Sequence, residues 1–208
     1  MFAFEVARDC AVFRDFGPRA RELMRLFGMT VDGVARRAVR VRLSLRLEAG
    51  QICWIGGPSG AGKSLLLDAL YDAAPPEQRV RIESIALRRD AAVIDCVDGP
   101  LEQTLEALSR AGLGDAWCLL RPPGMLSEGQ QWRYRLAQAQ ISGRGLVFAD
   151  EFCASLDATS ARAVAYHLRR SADRTGCIFV LAGCREDVVD DLRPDVVVMA
   201  GQGVGIDG

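Results

Sequence analysis

One octapeptide decides most of what this chain can fold into: Gly57-Pro58-Ser59-Gly60-Ala61-Gly62-Lys63-Ser64. It fits the pattern G-x-x-x-x-G-K-[ST], a loop that works only between a buried strand and the start of a helix. Both flanks are present. Gln51-Ile52-Cys53-Trp54-Ile55-Gly56 reads as a buried strand, and Leu65-Leu66-Leu67-Asp68-Ala69-Leu70 as the helix that leaves the loop. The glycines let the backbone curl so that successive N–H groups converge on phosphate oxygens. The N-terminal end of the following helix adds positive potential at the same place. Of the 26 basic side chains, Lys63 is the one lysine; every other is arginine. A position that keeps lysine against that drift needs a slim, flexible ammonium rather than a planar fork. Lys63 would reach the β- and γ-phosphates of a nucleotide, Ser64 would hold Mg²⁺, and Leu65 would complete the loop's contacts.

Beyond the loop, strand-like and helix-like segments alternate. Val39, Val41, Leu43, Leu45 and Leu47 alternate with polar residues, which predicts a half-exposed strand in an antiparallel portion. Phe2, Phe4 and Val6 suggest another short strand. Residues 18–27 look helical, with Ala20, Leu23, Met24 and Phe27 on one face. Residues 80–87 and 91–97 read as two strands, and 101–111 as a helix. Pro122-Pro123-Gly124 breaks the chain before a helix over 128–141. Apolar strands are expected at 145–149, 177–182 and 196–200, with a helix at 159–172. This order predicts an α/β fold of the P-loop NTPase kind: a mainly parallel sheet with helices on both faces, a small antiparallel β portion and a short helical subdomain. At 208 residues the chain is expected to be one domain, with residues 98–142 as the helical subdomain.

Composition narrows the setting. The net charge of −1 gives no bulk attraction to DNA or anionic membranes. Arginines do cluster locally (Arg36, Arg37, Arg40 and Arg42; Arg169 and Arg170), which reads first as a solvated face and second as a nucleic-acid contact. Seven cysteines, an odd number without C-x-x-C spacing, suggest buried reduced thiols and a cytoplasmic protein. One histidine and no paired ligand spacing argue against zinc. No apolar run reaches the ~18 residues of a membrane span, and Glu5, Arg8 and Asp9 break any signal-peptide pattern.

A second constellation gives the chemistry. Leu146-Val147-Phe148-Ala149-Asp150-Glu151 is a buried strand ending in two acids. Asp150 would complete the Mg²⁺ shell and Glu151 would act as general base toward water. Upstream lies Leu126-Ser127-Glu128-Gly129-Gln130-Gln131, and downstream Ala154-Ser155-Leu156-Asp157. In the order phosphate loop, 126–131, 146–151 and 154–157, these motifs resemble the Walker A, LSGGQ signature, Walker B and D-loop of ABC-type ATPases over roughly residues 35–200. Locally, Ser127 is an N-cap with Gln130 three residues on. The resemblance adds that Ser127, Gly129 and Gln130 meet the γ-phosphate held by an opposite subunit, so that two composite ATP sites form in a head-to-tail homodimer. A finer resemblance, through 112–116, 150–157 and 191–195, is to a soluble group of ABC ATPases found fused to a predicted acetyltransferase domain. No acetyltransferase part is visible in this chain.

Three departures from the family pattern stand out. Cys184 occupies the place of the switch histidine, with Arg185 beside it as an alternative phosphate contact. No glutamine follows residues 91–97, where Asp95, Asp98 or Gln103 stand instead. No aromatic residue is clearly placed to stack adenine, Phe27 being the best candidate. His167, the sole histidine, reads as structural. The expected activity is Mg-dependent ATP hydrolysis coupled to an unidentified process, with a protein or nucleic acid as possible partner. An ATP-dependent dimerising clamp with little turnover is the first alternative. The nucleotide-binding subunit of a transporter is the second, disfavoured by the short 98–126 segment. A small-molecule kinase would leave the signature and D-loop without purpose.

Overall fold

The computed structural model describes residues 1–9, 15–36 and 40–201. Two antiparallel strands, β1 (Phe2–Asp9) and β2 (Arg40–Leu47), pair with Phe4 opposite Leu45 and Val6 opposite Leu43. The period-two pattern sorts their side chains as expected. Phe4, Val6, Val41, Leu43, Leu45 and Leu47 are buried, while Arg42, Ser44 and Arg46 face solvent. Between these strands the chain forms α1 (Pro18–Leu26), with Pro18 in its first turn, and α2 (Val31–Arg36).

The main sheet holds β3 (Ile52–Gly56), β4 (Arg79–Arg81), β5 (Leu146–Ala149), β6 (Ile178–Ala182) and β7 (Val196–Met199). All pairings are parallel, in the order β4-β5-β6-β3-β7. The helices are α3 (Lys63–Ala73), α4 (Leu101–Arg110), α5 (Ala116–Leu119), α6 (Glu128–Ile141), α7 (Ala158–Thr175) and α8 (Val189–Leu192). The central strands are apolar throughout because both of their faces are covered. Cys53, Ile55, Leu146, Phe148, Ile178 and Val180 pack on α3 and the β1–β2 pair. Ile52, Trp54, Val147, Ala149, Phe179 and Leu181 pack on the opposite side with α6 and α7. Each fully buried side chain of this size contributes on the order of 1.5–3 kcal/mol, so the sheet's two faces anchor everything attached to them.

The expected strands at 80–87 and 91–97 are corrected. β4 stops at Arg81, and 3₁₀ turns occupy Ile82–Ser84 and Val93–Cys96. Ile82, Val93 and Val97 are nevertheless buried. Their backbone bonds go elsewhere. The Val93 N–H donates to the Arg121 carbonyl (2.9 Å), and the Gly124 N–H to the Arg88 carbonyl (2.9 Å). This segment therefore braces the proline break at 122–124, and short apolar runs cannot reveal such pairing. α1 forms where expected, but none of its residues is buried; Leu23 lies 55% exposed, and Phe27 at its C-terminal end 70%.

His167 sits midway along α7 beneath the turn after α4. Burial, with the charges of Arg133 and Arg170, pushes its imidazole below the ordinary value and keeps it neutral at pH 7. A Cβ on Gly112 (φ +84°) would lie 2.6 Å from its Nε2. Gly112→Ala must therefore strain the backbone and push His167 aside. The expected cost is roughly 1–3 kcal/mol of stability, read as a lowered denaturation midpoint.

Candidate functional site

The loop from β3 to α3 needs its glycines. Gly57, Gly60 and Gly62 adopt φ of +135°, +79° and +91°, a region closed to most side chains. A Cβ at Gly57 would also meet the Ala200 carbonyl at 2.9 Å. Gly62 is the residue before α3, and no side chain caps that helix. The first-turn N–H donors are therefore left for something else, at the positive end of the helix. Lys63 folds back over the loop, donating from Nζ to the carbonyls of Gly57 (3.0 Å) and Pro58 (2.9 Å). Its ammonium is thus held at the mouth of the loop.

A cavity of about 520 Å³ opens there, lined by Ser59, Gly60, Gly62, Lys63, Ser64 and Leu65 from the loop and helix. Across it stand Asp150, Glu151 and Ala154 from the end of β5, and Gly183, Cys184 and Arg185 from the end of β6. Parallel strands bring these ends to one edge of the sheet, the expected place for a ligand. Gly57 and Pro58 border a neighbouring cavity of about 460 Å³ that shares Gly183 and Cys184. Ala61 packs instead against the core around α3.

The two acids are held by the backbone. The Glu151 N–H donates to Asp150 Oδ1 (2.9 Å), and Glu151 itself takes a left-handed conformation (φ +45°). The Asp150 N–H donates to Glu83 Oε1 (2.9 Å). Glu83 was missed in the sequence. Burial pushes its carboxyl above the ordinary range, and the neighbouring Asp150 adds to that rise. It sits directly after the edge strand β4, beside the Asp150 that ends β5. The glutamine sought after 91–97 therefore has no counterpart there: Asp95 lies in a 3₁₀ turn, and Gln103 is exposed on α4. An acid following a three-residue strand carries no signal that could have singled it out.

Serine and glutamine at the start of α6 form the expected reciprocal cap. Ser127 Oγ accepts from the Gln130 N–H (3.4 Å), and Gln130 Oε1 from the Ser127 N–H (3.0 Å). Gln130 Nε2 also reaches Cys118 Sγ (2.9 Å), so this side chain braces its own loop. Glu128 is exposed, and Gly129 is buried against Ser160 of α7. None of Ser127, Gly129 and Gln130 lines the cavity that Lys63 and Glu151 share.

Hard oxygen donors from Ser64 and Asp150 face the same space, which suits Mg²⁺ supplemented by phosphate and water oxygens. No group of three or more His, Cys, Asp or Glu among the described residues forms a protein-only metal site. Arg185, considered as a phosphate contact, has its guanidinium turned to Asp187 and to the carbonyls of Cys153 and Leu156. Cys184 is exposed at the cavity. Cys53, Cys118, Cys153 and Cys177 are buried free thiols, and burial raises those of Cys53 and Cys153 to about 12. Arg169 is tied to Asp173 and Asp195, and Arg170 stacks over Tyr166, so neither is a free basic patch. Arg37 lies outside the described residues. Among the described residues, no helix is long and apolar enough to cross a membrane.

Known proteins with this arrangement were found by sequence and by shape. The family model described as "ABC transporter" matches residues 41–97. The chain is 33% identical over 157 residues to the cytochrome c biogenesis ATP-binding export protein CcmA of Sphingopyxis alaskensis, covering 66% of this chain and 80% of that protein. It is 31% identical to the zinc import ATP-binding protein ZnuC of Ruegeria pomeroyi, covering 82% and 72% respectively. By shape it resembles a dimeric ATP-binding cassette in a post-hydrolysis state bound to ADP and phosphate. That match has a TM-score of 0.65 and 16% identity, covering 96% of this chain and 94% of the other. A nucleotide-free cassette from an ABC transporter gives 0.63 at 16% identity.

Proposed function

This chain belongs to the ABC family of ATP-binding proteins, and from that premise we propose that it is an Mg-dependent ATPase whose sites are completed in a head-to-tail homodimer. The observation that carries the proposal is the uncapped start of α3, which faces Asp150 and Glu151 across a single cavity. The loop amides and Lys63 take the β- and γ-phosphates. Glu151 accepts the proton of a water aligned with the γ-phosphorus, and that water displaces ADP in line. Mg²⁺ held by Ser64 and Asp150 would spread the charge that develops on the phosphate oxygens.

Ser127 and Gly129 fall outside this cavity, which supports their reading as donors to a partner's phosphate. The whole chain then acts as one domain in the cytoplasm. Through residues 112–116, 150–157 and 191–195 it resembles the soluble ABC ATPases found fused to a predicted acetyltransferase domain. Sites shared between subunits have a measurable consequence. Phosphate release per molecule should rise with protein concentration until dimers saturate, and vanish without Mg²⁺. A specific activity independent of concentration would contradict the shared site.

A different attachment, the ATP-binding subunit of a membrane transporter, is favoured by one observation. Leu101, Leu105, Trp117, Leu120 and Met125 of the helical segment are large, apolar and exposed. The export and import roles of the two relatives agree with it.

A further inference from the structure

We propose that Arg185 is a positioning residue for Glu151, stapling the loop after β6 to the turn that carries this carboxylate. The proposal rests on the hydrolytic reading above. The turn after β5 is built from unfavourable backbone: Glu151 and Cys153, neither of them glycine, both have positive φ (+45° and +57°). Residues in that region persist only where the surroundings impose it. Two bonds close the turn from within, from the Ala154 N–H to the Glu151 carbonyl (2.9 Å) and from the Leu156 N–H to the Cys153 carbonyl (3.1 Å). A third, from the Phe152 N–H to the Ala182 carbonyl (2.8 Å), ties it to the end of β6.

Arg185 supplies the rest. Its Nη1 donates to the Cys153 carbonyl (3.1 Å) and to the Leu156 carbonyl. Its Nε and Nη2 grip the two Asp187 oxygens at 2.9 and 2.5 Å, which fixes the plane of the guanidinium. Only a planar fork can satisfy two carbonyls on one edge and a carboxylate on the other. The side chain is about one-fifth exposed, while Phe152 and Cys153 beneath it are fully buried. The staple thus crosses between the loops that end adjacent strands β5 and β6, both of which border the cavity. It acts on the reaction through the orientation of Glu151 and makes no contact with the nucleotide itself.

The test compares wild type with Arg185→Ala and Arg185→Lys in the full chain, by steady-state ATPase kinetics and by amide hydrogen exchange. For Arg185→Ala, kcat should fall between about 10- and 100-fold, the size expected when a reacting group loses its alignment. KM for ATP should stay within about threefold, since no phosphate contact is lost. The Ala154 and Leu156 amides should exchange about tenfold faster or more, as their turn loosens. Lysine should restore only part of kcat. Unchanged exchange at both amides would overturn the staple, as would a KM that moves as far as kcat. If wild type shows no turnover, the hydrolytic reading fails while the exchange result still decides the staple. Should Arg185→Ala fail to melt cooperatively, Asp187→Asn carries the same exchange test by releasing the fork.

Discussion

Lys63→Ala removes nucleotide binding while leaving the fold in place. The ammonium would serve two phosphates, and hydrogen bonds to charged groups contribute about 1.5–3 kcal/mol each. Losing both weakens ATP affinity by roughly 100-fold or more. Little stability goes with it, because among the described residues Lys63 bonds only to the Gly57 and Pro58 carbonyls of its own loop. Calorimetric titration with ATP should show no detectable binding by the variant, beside an unchanged thermal midpoint. Lys63→Arg should not restore binding. A guanidinium brings a planar fork where the loop offers room for a point charge, and the rest of the chain shows that arginine was readily available. Wild-type affinity in Lys63→Ala would mean that the nucleotide sits elsewhere.

Glu151→Gln separates binding from chemistry. Glutamine keeps the shape of the side chain and can hold the strained turn, but it cannot take a proton from water. General-base catalysis typically contributes about 10²–10⁴-fold, so phosphate release should fall by at least that lower figure. ATP affinity should change little, because Glu151 binds no phosphate in this scheme. The substrate then persists, and with it the dimer that it bridges. A Glu151→Gln variant that hydrolyses ATP at the wild-type rate would move the base elsewhere, with Glu83 the next carboxylate along the sheet edge. If wild type itself barely turns over yet dimerises, the clamp reading replaces the ATPase, and Cys184 at the switch position becomes the natural reason.

Much of this was legible in residue order. The phosphate loop, the apolar strand ending in Asp150 and Glu151, and the Ser127–Gln130 cap each follow from local chemistry, and each appears where expected. Helix α6 matches its expected bounds of 128 and 141. What escaped depended on partners distant in sequence. Residues 82–97 have the apolar content of strands, but their backbone bonds run to Arg121 and from Gly124, which no periodicity encodes. Glu83 became visible only when β4 placed it beside Asp150. Arg185 looked like a phosphate ligand because of its neighbour Cys184. Its carbonyl partners, Cys153 and Leu156, sit 32 and 29 residues upstream. Helix α1 shows the reverse case: its apolar residues fall on one face as expected, and the structure fully buries none of them. An apolar stripe states that a surface prefers cover; it does not say that this chain provides it.

In this scheme ATP joins two chains through Ser127 and Gly129 of one and the Lys63–Glu151 cavity of the other. Light scattering on Glu151→Gln, with and without Mg-ATP, addresses it directly. The variant should be a monomer without nucleotide and a dimer with it, and should return to monomer when Lys63→Ala is added to the same chain. A monomer that binds Mg-ATP yet never dimerises would contradict the shared site and require another protein to complete it.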